Sequence, residues 1–159
     1  MKLKNRIPLF LIAALLAAVL CGCGMTEAPA ETVDLQKFME DTLGSYELGS
    51  VEAVSGELLD AFYPGLSDVE APQRVVYMPM ITGVVSEYAL LECADKNAAE
   101  QAADILETRI RAQAEGGAWY PESVENWAKA KVIAKGNYVA MIAAGELTDS
   151  IAADFEKLF

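Results

Sequence analysis

Three sets of residues in this chain are of types that could do chemistry. Cys21 and Cys23 stand one residue apart at the end of an apolar run. Such a pair admits a soft-metal clip, a disulfide, or acylation of one thiol. The chain has no histidine and only one further cysteine, Cys93. At most three protein ligands could therefore gather, where closed structural zinc sites use four, and a disulfide across a single residue would be badly strained. Glu87 and Glu92 are the second set, carboxylates that could do acid–base work. Five residues apart on a strand, they point to opposite faces. The third set is aromatic: Trp119, Tyr120, Trp127 and Tyr138. With polar neighbours, such rings suit a glycan, a peptide or a partner protein; the alternative is that they cover the sheet edge as satellite core.

The setting of the cysteines favours acylation. Lys2, Lys4 and Arg6 precede a 14-residue apolar stretch, Ile7 to Leu20. A bilayer span needs about 20 such residues, so this reads as the charged and apolar regions of a secretory signal. Leu20-Cys21-Gly22-Cys23 resembles a bacterial lipobox, with cleavage after Gly22 and Cys23 as the lipidated residue. Acylation at Cys21 would instead put bulky Leu20 at the cleavage position. The main rival is an uncleaved anchor. Two acyl chains, at about 0.8 kcal/mol per buried methylene, hold a protein stably where one is marginal. The expected place is the extracytoplasmic face of a bacterial membrane, plasma or outer.

Removing residues 1–22 takes three bases and no acid, leaving 137 residues with nine bases against 24 acids, a formal charge of −15. Eleven acids and one base, Lys37, lie between Glu27 and Glu70. Such a field repels nucleic acid and anionic headgroups and favours cations or a basic partner; it also keeps a surface protein soluble. Cys93 lies in an apolar run and reads as a buried, inert thiol. Without histidine there is no Ser-His-Asp triad and no usual base for a cysteine nucleophile. No P-loop, Gly-x-Gly-x-x-Gly or EF-hand run occurs, so neither cofactor nor metal is expected.

These residues need elements to position them. Residues 23–33 hold the lipidated Cys and a short tether, and 34–159 form the domain, enough for one core. "DLQKFMEDTLG" has Leu35, Phe38, Met39 and Leu43 at helical spacing, capped by Asp34. "SGELLDAFYPG" reads as a shorter helix with Ser55 as N-cap and Leu58, Leu59 and Phe62 buried. Strands are expected at Arg74–Met78 and Val84–Cys93, with a break near Pro79. The clearest helix follows, opened by an Asn97/Glu100 capping box. Ala98, Ala102, Ile105, Leu106 and Ile110 form its stripe, and Glu107 and Arg111 pair on its wet side. "AWYPESVENWA" is irregular. Lys131–Ala134 and Tyr138–Ala144 flank a Gly136-Asn137 turn, and Leu147, Ile151, Phe155 and Leu158 mark a closing helix. The order is α-α-β-β-α-β-β-α. It predicts a single α+β domain whose antiparallel sheet of about four strands, two hairpins flanking a long helix, carries packed helices.

Several stretches resemble the bacterial lipoproteins grouped as domain of unknown function 4358. They are the lipobox with its acidic helical opening, "FYPGL", "SEYALLECAD", "ILETRIRAQ" and, most specific, "YPESVENWAKAKVIAKGNYVAMI". The resemblance implies an acid at the head of the long strand, Glu87, and a small or charged residue where Cys93 stands. It implies location and a compact domain, and no activity. The resulting expectation is a non-enzymatic binding or interaction domain, membrane-held through its lipid, meeting a surface protein or envelope ligand and no nucleic acid. The alternative is a carboxylate-dependent enzyme acting on cell-envelope material.

Overall fold

The computed structural model describes residues 32–81 and 83–159. The signal segment, Cys23, the tether up to residue 31 and Thr82 of the first hairpin lie outside the described residues. The elements, in order, are α1 (Leu35–Ser45), β1 (Val51–Ala53), α2 (Glu57–Phe62), β2 (Gln73–Pro79), β3 (Glu87–Glu92), α3 (Lys96–Ala112), α4 (Pro121–Trp127), β4 (Lys131–Lys135), β5 (Tyr138–Ala143) and α5 (Thr148–Glu156). The expected order holds, with a three-residue edge strand β1 and a short helix α4 added. The sheet thus has five strands, all pairs antiparallel, in the order β1-β2-β3-β5-β4. Two hairpins supply four of them. The α3–α4 crossover carries the chain past β5's place, so β5 folds back between β3 and β4.

Strand alternation divides the core in two. Ala89, Leu91, Val76, Met78 and Met141 face α2 and α3. Tyr88, Leu90, Val75, Ala140 and Ile142 face α1 and α5, where Phe38 meets Phe155 edge-on at 5.6 Å. With helices on both faces, central β3 is buried along five of its six residues. Cys93 is fully buried beyond its end. Burial pushes its thiol pKa up, with Asp95 adding to the rise and Arg74 opposing it.

Several local expectations are corrected. The N-cap of α3 is Asp95, whose carboxylate accepts from the Ala98 amide, and not Asn97. Its buried stripe is Ala99, Ala102 and Leu106, with Ala98, Ile105 and Ile110 at the margin. Among the described residues Glu107 and Arg111 form no ion pair; Arg111 donates to Thr108 instead, at 3.1 Å. The N-cap of α2 is Gly56, with no side-chain bond, and only Leu59 buries while Leu58 and Phe62 stay exposed. Pro79 ends β2 opposite Val51, on the short outer strand's flank, where a missing donor is tolerated. The Gly136-Asn137 turn is as expected. Of its two central residues Gly136 has positive φ, +62°, and Asn137 does not, which suits the first central residue of a type II′ hairpin.

Candidate functional site

A cleft of about 260 Å³ opens where β2 ends and β3 begins, between the C-terminus of α3 and α4. Its floor is Glu87, buried to 2% exposure. The alternation that buries Ala89 and Leu91 sends Glu87 to the same face, toward α3. Arg109 answers it from the helix. Residues 99, 102, 106 and 109 share one stripe, so a guanidinium lands where the next apolar side chain would. Its Nε donates to Glu87 Oε1 at 2.9 Å and its Nη2 to Oε2 at 3.0 Å, a bidentate fork. The hydroxyl of Tyr63, just after α2, donates to the same Oε1.

Aromatic rings enclose the cation. Phe62, Trp127 and Tyr63 lie 5.2, 5.4 and 5.7 Å from the guanidinium carbon, within cation–π range. Burial alone would lower the Arg109 pKa, but the bonds and charge of Glu87 overcome it and the net shift is upward. Burial, and then the Glu87 charge, drive the Tyr63 phenol well above its ordinary value. The site holds Arg109 charged and Tyr63 protonated.

The mouth of the cleft is apolar and wet. The axis of α3 runs on into a π-turn, Gln113–Gly117, before the chain swings out at Trp119, which is 92% exposed. Glycine is required at 117, because a Cβ there would sit 2.6 Å from the Ala112 carbonyl oxygen. Tyr120 lies over Gly83, 3.6 Å from where a Cβ would stand, and Ser123 donates to the Gly83 carbonyl at 3.2 Å. Met80, Ile81 and Val84 of the same hairpin loop are also exposed. A second groove, about 420 Å³, runs between Pro64 and Ile105 on the far side of Arg109.

The four aromatic candidates do not form one surface. Trp119 and Tyr120 are exposed at the mouth, while Trp127 is 5% exposed and packs beneath it. Tyr138 belongs to the opposite face and end of the sheet. Its hydroxyl accepts from the Val33 amide at 3.3 Å and donates to Glu92 at 3.0 Å, and its ring meets Phe159 at 5.0 Å. Glu92 therefore shares no cleft with Glu87, as the five-residue spacing implied. Arg109 was not among the candidates. The signal was present: a basic residue on the buried stripe of α3, facing an acid on the inward register of β3. Among the described residues no group of three or more His, Cys, Asp or Glu could hold a metal ion.

Residues 45–144 match the model of the family described as Domain of unknown function (DUF4358). The chain belongs to the DUF4358 family. The stretch shared with DUF4358 holds all five strands, α2 to α4, and the whole cleft; α5 lies beyond it and α1 overlaps it only at Ser45. No curated protein and no solved structure matches the chain.

Proposed function

We propose that this DUF4358 chain is a lipid-anchored extracytoplasmic binding domain. Cys23 carries the lipid, and the cleft beneath Trp119 is the binding site, with no bond-making of its own. The observation that carries the reading is the state of Glu87. Both its oxygens accept from Arg109 and one also from Tyr63, so three of the roughly four acceptor sites of the carboxylate at the floor are taken up by fixed donors within the protein. What the cleft offers instead is exposed apolar and aromatic area beside a rigid polar floor, the composition of interface hot spots. Its volume lies below the roughly 300–1,000 Å³ of small-molecule sites, and suits one bulky side chain of a larger partner.

The anchoring half rests on the lipobox. Mass spectrometry of the native protein should give a mature chain beginning at Cys23 with a diacylglyceryl thioether, and Cys23→Ala should release the domain from membranes. An intact leader, or an unmodified Cys23, defeats that half. For the binding half, incubation with envelope material should release no product. Turnover abolished by Glu87→Gln would hand the site to carboxylate catalysis.

A further inference from the structure

Three of the segments that build the cleft lack bases, while the last turn of α3 contributes Arg109 and the exposed Arg111. Residues 57–72 contain Glu57, Asp60, Asp68 and Glu70 and no base. Residues 79–95 contain Glu87, Glu92 and Asp95 and no base; residues 113–128 contain Glu115, Glu122 and Glu125 and no base. Glu115 and Glu122 are exposed on either side of Trp119. Among the described residues that line the cleft, the one cation is Arg109, already paired with Glu87 at 2.9 Å. The mouth is therefore apolar, with Glu115 and Glu122 exposed beside it along the chain.

From this charge pattern we infer that the cleft docks a basic polypeptide segment that presents one bulky apolar side chain flanked by lysine or arginine. The apolar side chain enters between Trp119, Val84 and Phe62, which desolvates it against rings that are now wet. The flanking cations meet Glu115 and Glu122, and one can stack on the Trp119 face, where a cation–π contact is favourable. An acidic partner would meet like charge at Glu115 and Glu122. The chain enters the domain at Val33, bonded to Gln73 and Tyr138. That entry lies at the other end of the strands, six residues from Pro79 along β2, about 20 Å at the strand rise.

The inference rests on the cleft being a binding site and adds the partner's chemistry, so its test separates the two. The full chain, purified in a neutral detergent, is titrated into labelled peptides Lys-Lys-Phe-Lys-Lys, Glu-Glu-Phe-Glu-Glu and Lys-Lys-Ser-Lys-Lys, read by fluorescence anisotropy. The first should bind with 1:1 saturation and the other two at least tenfold more weakly. Trp119→Ala, in a side chain too exposed to disturb folding, should weaken the first peptide tenfold or more. The pair Glu115→Gln and Glu122→Gln should weaken it several-fold and flatten its salt dependence. Glu40→Gln, on α1, should leave it within twofold. Equal binding of the acidic peptide, lost in Trp119→Ala, overturns the basic partner while keeping the cleft as a site. Binding that ignores Trp119, or no binding of any peptide, overturns the inference. Neither result bears on the lipid at Cys23, which mass spectrometry reads separately.

Discussion

Strand β3 carries a carboxylate at each end, and the protein treats the two differently. Glu87 and Glu92 each receive a tyrosine hydroxyl, from Tyr63 and Tyr138 respectively. Beyond that the partners diverge. Glu87 is buried against a helix and has a guanidinium in bidentate contact. Glu92 is half-buried and, among the described residues, has the neutral amide of Gln73 instead, at 2.6 Å. Stripping water from a charge costs several kcal/mol, and an amide cannot offset that as a counter-charge can. The difference in burial thus dictates the difference in partner. The buried end supports a cleft; the wetter end receives the incoming chain through Gln73, which donates to the Val33 carbonyl and accepts from the Leu35 amide.

Removing one partner of the buried pair should give the largest effect. Arg109→Met leaves Glu87 desolvated without a counter-charge, at a cost of about 3–5 kcal/mol. By calorimetry of the full chain the midpoint should fall by roughly 10–20 °C. The double variant Arg109→Leu, Glu87→Leu should recover most of the loss, because an apolar replacement of a buried pair is often neutral. A single-variant cost below about 1 kcal/mol would mean that water already reaches Glu87, and the contrast between the two ends would collapse. Next in size, Tyr63→Phe removes a hydrogen bond to a charged acceptor, worth about 1.5–3 kcal/mol. Denaturant midpoints at an unchanged slope would measure it.

The two tyrosines also sharpen the contrast in alkali. Both are raised: Tyr63 well above 10 by burial and then by Glu87, Tyr138 by burial and then by its bond to Glu92. A phenol with a raised folded pKa leaves stability whole below its unfolded value near 10. That stability drains away as pH climbs through the folded value, because the unfolded chain sheds its proton first. Tyr138 should therefore ionise before Tyr63. Tyr88, pushed up to about 12 by burial, joins the late group. The tyrosinate absorbance of Tyr63→Phe should lose amplitude from the late phase, and that of Tyr138→Phe from the early one. Amplitude lost from the same phase in both would erase the distinction.

Much of this was legible in the residues, and the misses share a cause. The Val, Tyr and Ile richness of "RVVYMPMITGVVSEYALLEC" and the Gly136-Asn137 turn marked both hairpins, because strand propensity and turn chemistry are local. β1 was missed because three residues between Gly49 and Gly56 cannot show a period; only its pairing with Tyr77–Pro79 makes it a strand. The expected α3 stripe shares Ala102 and Leu106 with the observed one and differs at its ends, where Ala99 buries in place of Ala98 and Arg109 faces the sheet in place of Ile110, a choice made by the sheet beneath. That difference concealed Arg109, and with it the floor of the cleft. Tyr138 was grouped with Trp119 by composition, whereas strand parity sends it to the other face.

The smallest effect belongs to the wetter end, and it is the most local. Gln73→Ala removes one side chain that holds Val33, Leu35 and Glu92 together, but Glu92 keeps Tyr138 and has water at hand. The expected cost is about 0.5–1.5 kcal/mol, the net worth of ordinary hydrogen bonds. Local opening and global unfolding separate in amide exchange. The Val33 and Leu35 amides should exchange at least tenfold faster in the variant, while those of Ala89 and Leu91 slow or quicken only with global stability. If the core amides lose as much protection as the entry segment, Gln73 is part of the cooperative core. The end of β3 that receives the chain would then be no more separable from the fold than the end that supports the cleft.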